Sequence, residues 1–180
     1  MPAEDDRELI RRFQKGDESA FNELVRKYQK SIYQIARRLL GSHEEAEDLS
    51  QEVFIKAYHG LAGFRSDAGF FTWIYRITVN SALNVLRKKK LRQILSLENV
   101  GFSIASRSAA PDQQIEKWET LQAISRAIDR LPKMQKIVFT LRHDQKLTHK
   151  EIAQILNRDE GTVKANYHHA IRKLKKAVKS

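Results

Sequence analysis

The sequence contains no cysteine, which excludes disulfides, thiolate nucleophiles and cysteine-held metals and is compatible with a reducing compartment. With 3 prolines and 7 glycines in 180 residues, it lacks the frequent turn residues that a protein of many short strands needs. No apolar run approaches the ~20 residues of a membrane span. The first residues, MPAEDDRELI, are acidic and polar, unlike the basic and then apolar start of a signal peptide. A cytoplasmic place without membrane insertion is therefore expected. Alternating strand patterns are hard to find. Apolar residues recur instead at three- and four-residue spacing through most of the chain, which predicts an all-α protein of one or two small domains.

The formal charge of +11 is unevenly spread. Residues 1–60 balance at −2, residues 61–110 at +6 and residues 111–180 at +7. Such segregation points to a polyanion partner for the later segments and a different partner for the start. Solubility alone does not require it.

Leu147 to Leu174 organises the second half. Thr148 and Glu151 stand in the relation of a capping box, with Leu147 and Ile152 placed as its hydrophobic staple. Ile152, Ile155 and Leu156 form an apolar face. Asn157 can take the left-handed conformation that ends a helix, and Asp159 can cap the next one. Val163, Tyr167, Ala170, Ile171, Leu174 and Val178 make one buried stripe, leaving Thr162, Lys164, Ala165, His168, His169, Arg172, Lys173, Lys175 and Lys176 outward. Two helices, a short turn and a basic outer face describe a helix-turn-helix, with a solvated helical hairpin as the plainer alternative.

The first half reads as four helices. Leu9, Ile10 and Phe13 belong to a short one ending near Lys15-Gly16. A second opens around Asp17-Glu18-Ser19, buries Ala20, Phe21, Leu24, Val25, Tyr28, Ile32, Ile35, Ala36 and Leu39, and closes at Gly41. Ser42 and Glu45 suggest a capping box for the third, whose inner face is Ala46, Leu49, Val53 and Ala57. Its outer face carries Glu44, Glu45, Glu47, Asp48, Gln51 and Glu52. Those acids suit a solvated helix face or a dock for a basic protein surface. They suit a metal poorly, because no facing Glu-x-x-His pair accompanies them. After a break at GLAGFRSDAG, a fourth helix runs from Phe70 to about Lys90. Phe64, Phe70, Phe71, Trp73 and Tyr75 are too many aromatics for one buried stripe. Arg65, Arg76 and Arg87 lie among them, and Asn80 and Asn84 share a face. Aromatics stack on unpaired bases, Arg neutralises phosphate and Asn reads base edges, so the set suits single-stranded or flipped bases. An aromatic core helix with a basic rim is the alternative. Lys88, Lys89, Lys90 and Arg92 suit backbone phosphates.

From Arg92 to Pro111 the periodicity collapses, which reads as a linker. Its ~20 residues span at most about 65–70 Å, roughly two turns of duplex at about 34 Å per turn. Helical pattern restarts at Asp112 with Ile115, Trp118, Leu121, Ile124 and Ile128 inward, and stops at Leu131-Pro132. Met134, Ile137, Val138 and Leu141 make one more short helix.

AEDLSQEVFIKAY (46–58), FRSDAGFFTWIYRITVNSALNVLRKKK (64–90), Leu131-Pro132 and LTHKEIAQIL…GTVK (147–164) together resemble bacterial RNA polymerase sigma factors of the extracytoplasmic-function class. Each motif alone is weak; four in this order are highly specific. The resemblance implies two helical domains, region 2 over 1–92 and region 4 over 113–180, joined by a flexible linker over 93–112. It implies that Asp48, Gln51, Glu52, Phe54 and Ile55 dock on the coiled coil of the polymerase's largest subunit. Phe64, Arg65, Ser66, Phe70, Phe71 and Trp73 would capture a base flipped from the melted non-template strand of the -10 element. Asn80 and Asn84 would line the adjoining recognition helix while Arg76, Arg87 and Lys88 hold phosphates. Lys150, Thr162, Lys164, Ala165, Asn166, His168, His169, Arg172 and Lys173 would meet the -35 duplex, with region 4 resting on the polymerase flap. An anti-sigma factor is a further implied partner, and no cofactor or metal is implied. Asn166 and His169 stand where the family more often has Arg. This bears on the -35 preference, because Asn favours adenine edges over guanine.

The runner-up is a stand-alone helix-turn-helix regulator, which would bind duplex DNA tightly without polymerase. An enzyme such as a nuclease fits worse. Asp48 and Glu52 lack companion carboxylates elsewhere, and the neighbours His168 and His169 point apart on a helix.

Overall fold

A computed structural model describes residues 3–65, 69–96 and 123–178, and all regular structure among them is helical. Helix α1 spans Ala3–Gln14, α2 Ser19–Leu40, α3 His43–Leu61 and α4 Gly69–Ser96. The described part of α5 covers 123–129. Helix α6, Lys133–Phe139, runs straight into a π-helical turn at Thr140–Asp144. Helices α7, His149–Leu156, and α8, Glu160–Val178, complete the chain. The expected linker at 93–112 and the inward positions Ile115, Trp118 and Leu121 lie largely outside the described residues; only its first residues are seen, and they are helical.

Helix ends follow local chemistry. Gly41 takes φ 81° and its N–H returns to the Arg37 carbonyl, ending α2 where only a residue without Cβ sits easily. Asp17 accepts from the Ser19 N–H at 3.0 Å and starts that helix. Ser42 accepts from the Glu45 N–H at 3.4 Å, but the reciprocal half of the expected capping box does not form. The Glu45 carboxylate turns instead to Lys89 on α4. At Thr148 and Glu151 both halves are made. Asn157 ends α7 with φ 51°.

Helix α4 runs on past the expected stop near Lys90 to Ser96. Arg92, Gln93, Ile94 and Leu95 are good helix formers with no Gly or Pro among them, so intrinsic propensity extends the helix without a buried stripe. Leu91 and Ile94 are accordingly exposed.

Helices α1, α3 and α4 pack on α2, whose Leu24, Ile32 and Ile35 are fully buried. The inner face of α3 is Ala46, Leu49, Val53 and Ala57, as its spacing predicts, with Leu61 added. The core does not stop there. Ile137, Val138 and Leu141 from α6 and the π-helical turn, and Ile152, Ile155 and Val163 from α7 and α8, belong to the same buried cluster. Helix α7 lies against α4, and the π-helical turn against α2. A smaller cluster of Ile128, Leu131, Phe139, Ala170 and Leu174 joins α5, α6 and α8.

Because one core crosses both halves, the protein is expected to unfold in a single transition seen alike by helical dichroism and tryptophan fluorescence. Ile155→Ala should lower its stability by about 2–5 kcal/mol. Two separated transitions in the unaltered protein would show that the halves fold independently.

Candidate nucleic-acid and polymerase interfaces

Helix α3 turns one row outward. Asp48, Gln51, Glu52 and Ile55 are all exposed, at positions i, i+3, i+4 and i+7, so they line one face. Ile55 keeps 58% of its surface in solvent and gives this face an apolar contact point. Phe54 is half-buried against the core and supports this face from beneath. Two neighbouring carboxylates already have cations, Glu52 with Lys56 and Glu45 with Lys89, and Glu47 lies 3.3 Å from the His43 ring. Asp48 has no ion-pair partner among the described residues. Its charge is open to an outside cation, as is that of exposed Glu44 at the start of the helix.

The segment leading into α4 collects aromatic rings. Phe64 lies 4.7 Å from Trp73 and 6.1 Å from Phe70, centroid to centroid. Phe71 lies 4.4 Å from Tyr75. Burial divides them. Phe70 is 2% exposed, packed edge-on against Tyr28, and Tyr75 is 3% exposed. Phe70 therefore leaves the base-facing set: its ring is core, and no base reaches it in this arrangement. Phe64, Phe71 and Trp73 are half-buried, while Arg65 is exposed. Ser66, also expected here, lies outside the described residues. Further along α4, Asn80, Asn84, Arg87 and Lys88 are exposed on the outer surface. The Arg87 guanidinium donates to Asn84 Oδ1 at 3.1 Å.

Arg76 is placed differently from the phosphate role expected of it. Its guanidinium donates to the carbonyls of Gln154 at 2.7 Å and Ile155 at 3.2 Å. These are end carbonyls of α7, the negative end of that helix and a natural seat for a cation. Nearby, Arg38 on α2 meets Asp144 at 2.9 Å, and Gln145 contacts both the Tyr75 hydroxyl and Gln34 at 3.3 Å. Burial pushes the Tyr75 hydroxyl above its ordinary pKa, keeping it protonated as a donor. Reading the sequence alone missed Arg38, Asp144, Gln145 and Gln34. They stand about a hundred residues apart, and no periodicity links them.

On α8, Thr162, Lys164, Ala165, His168, His169, Arg172 and Lys173 are all exposed, and Lys150 on α7 joins them in solvent. Asn166 is half-buried, and its side-chain amide donates to the Thr162 carbonyl at 2.9 Å. His169 Nδ1 lies 3.0 Å from Arg172 Nη2, so those two side chains hold one another. Asp159 accepts from the Thr162 N–H at 2.7 Å and from its hydroxyl at 2.5 Å. The Thr162 hydroxyl, then its N–H, hold the Asp159 carboxyl below its ordinary pKa. Among the described residues no cluster of His, Asp and Glu could hold a metal ion, and no helix is long and apolar enough to cross a membrane.

An acid-faced helix, an aromatic and basic helix beside it, and a capped basic helix-turn-helix thus share one chain. Residues 24–92 match the family model of sigma-70 region 2, and residues 121–174 that of sigma-70 region 4. Over 177 residues the chain is 34% identical to the ECF RNA polymerase sigma factor SigW of Bacillus subtilis, spanning 94% of this chain and 95% of that one. The chain belongs to the extracytoplasmic-function sigma factors. It is also 36% identical over 167 residues to the ECF RNA polymerase sigma-E factor of Escherichia coli K12, spanning 89% and 87% of the two chains. The fold of this sigma factor is that of CnrH in its complex with the cytosolic domain of CnrY, with a TM-score of 0.73 and 21% identity over 97% of each chain. Such a factor serves transcription initiation. The stand-alone regulator is not favoured, because both sigma regions are present in order.

The Asp159 cap makes a pH signature. A carboxylate whose folded pKa is lowered contributes stability above its ordinary value of 3.8, and loses it as pH falls through the lowered folded value. Asn also caps helices but cannot ionise. Asp159→Asn should therefore remove part of the acid-side loss of helical dichroism and leave it unchanged at neutral pH. An identical acid profile would rule out the cap as its source.

Proposed function

We propose that this sigma factor divides its contacts among three surfaces, over residues 1–92 for polymerase and the -10 element and 113–180 for the -35 element. The row Asp48, Gln51, Glu52 and Ile55 docks on a basic, coiled-coil surface of the polymerase's largest subunit. The observation that carries this reading is the unpaired Asp48 on one face with exposed Ile55, on a helix where Glu45 and Glu52 are held by lysines. A charge next to an apolar contact gives both steering and a desolvated anchor.

Phe64, Arg65, Phe71 and Trp73 receive a flipped base of the melted non-template strand, with Asn80 and Asn84 reading alongside and Arg87 and Lys88 on phosphates. Flipping costs a few kcal/mol, offset by stacking worth about 1–3 kcal/mol per base. Melting thus proceeds without a hydrolytic step in this chain. Arg76 contributes to phosphate only after it leaves the α7 carbonyls, so -10 engagement goes with separation of α7 from α4. The exposed face of α8 enters the -35 major groove, where Asn166 must first give up its bond to Thr162. Region 4 also rests on the polymerase flap. An anti-sigma factor binds this protein in turn, as the anti-sigma factor NepR binds the sigma factor RpoE of Bartonella quintana in a solved complex of the same fold.

In-vitro transcription with core polymerase, mapping start sites genome-wide, tests the reading as a whole; defined starts that depend on this chain are expected. Asp48→Ala should weaken core-polymerase affinity about tenfold without unfolding the protein. Equal affinity in a titration would remove the docking role from Asp48. Asn80→Ala should leave closed-complex formation intact and reduce permanganate-reactive thymines in the -10 region. Normal melting would refute it.

A further inference from the structure

Helix α1 lies before the region 2 match at 24–92, and nothing so far gives it a task. Its last residue, Gln14, reaches across to the start of the aromatic segment. The Gln14 side-chain amide donates to the Leu61 carbonyl at 3.0 Å and to the Phe64 carbonyl at 3.2 Å. The first is an end carbonyl of α3, which also accepts the Phe64 N–H at 3.2 Å, so Gln14 bonds both ends of that turn. The second is the backbone of Phe64 itself, and exposed Arg65 follows directly. One amide therefore ties the end of α3 and the entrance of the segment to a third helix.

The ring of Phe64 is fixed from another side. It lies against Trp73, and Trp73 lies against Gly60. A Cβ added at Gly60 would stand 2.7 Å from Trp73 Cζ2, closer than carbon atoms approach, and a tight 3.0 Å from Cη2. The indole thus occupies the space that any other residue at 60 would fill. Helix α1 is itself anchored. Buried Asp6 accepts from the Tyr28 hydroxyl and pairs with Lys27, and Phe13 packs on both Phe21 and Tyr58. The chain of contacts runs from the α2 core through α1 to Gln14, and through Gly60 to Trp73. Both branches end on Phe64.

We propose that Gln14 and Gly60 are positioning residues for capture of the unpaired -10 base: Gln14 sets the backbone of the 61–64 segment and Gly60 the seat of Trp73. This rests on the reading of the segment as the -10 pocket given above. Neither residue touches DNA in this scheme. Each acts by placing Phe64 and Arg65 relative to Asn80 and Asn84 on α4, where small displacements of a binding group carry large losses.

The test uses holoenzyme assembled from the full chain and core polymerase. The probe is a fluorescent single-stranded oligonucleotide carrying the non-template -10 segment of a promoter found by start-site mapping. Gln14→Met keeps the length of the side chain but removes its donors, and should weaken probe binding about fivefold. Gly60→Ala, which displaces the indole, should weaken it about tenfold. Core affinity and binding of a -35 duplex by the same holoenzyme should stay within twofold of the unaltered protein. Gln14→Lys, which again offers N–H donors to the two carbonyls, should recover most of the loss. Full probe binding by both Gln14→Met and Gly60→Ala overturns the proposal. So does an equal loss of core affinity, which would mean that these residues hold the fold as a whole. Arg65→Ala and Phe71→Ala are run beside them. If those two also bind the probe normally, the -10 reading itself fails; if they lose it while the positioning variants do not, only the positioning role falls.

Discussion

Helix α2 buries Leu24, Ile32 and Ile35 completely, and α1, α3, α4 and the π-helical turn all pack on it. Each fully buried aliphatic side chain stabilises the fold by roughly 1.5–3 kcal/mol relative to exposure. The ion pairs around it are mostly half-exposed, and such pairs contribute about 0–1 kcal/mol each. Apolar burial therefore determines where the helices lie, and charge is left free to choose partners. That separation of tasks explains how α3 carries a row of acids on one face without harm. Its opposite face, Ala46, Leu49, Val53 and Ala57, already holds it in place.

The same economy of surfaces appears on α4. Its first turns supply Phe70, Ile74 and Tyr75 to the core, and its later turns present Asn80, Asn84, Arg87 and Lys88 outward. One helix is both core wall and exposed polar surface. The residues at the junction, Phe64, Phe71 and Trp73, are half-buried because they belong to both. Arg76 sits at that junction too, and in this structure it faces the carbonyl end of α7. A phosphate and a helix C-terminus are alternative anionic partners for one guanidinium. The two halves of the protein thus meet through a group that could equally hold a phosphate.

Much of this was legible beforehand, and the legible parts share a cause. The α3 stripe, the Thr148 capping box, the left-handed Asn157 and the Asp159 cap all depend on residues within four or five positions of one another, where helix geometry alone relates them. The half-formed box at Ser42 shows the limit. The local pattern was right for Glu45, but Lys89 on another helix competed for the carboxylate and took it. Phe70 shows the same limit from the apolar side. An aromatic beside Phe71 and Trp73 reads as one of a set, and only the arrival of Tyr28 from α2 decides that it is buried.

Sequence by itself determined the all-helical class, the capped turn before α8, the inner faces of α2 and α3, and the segregation of acid from base, since each is a property of neighbours along the chain. Tertiary structure alone decided which aromatics keep exposed surface, that the π-helical turn and α7 close against α2 and α4, and that Gln14 and Gly60 converge on Phe64. These depend on contacts between residues far apart in sequence, for which no local period exists.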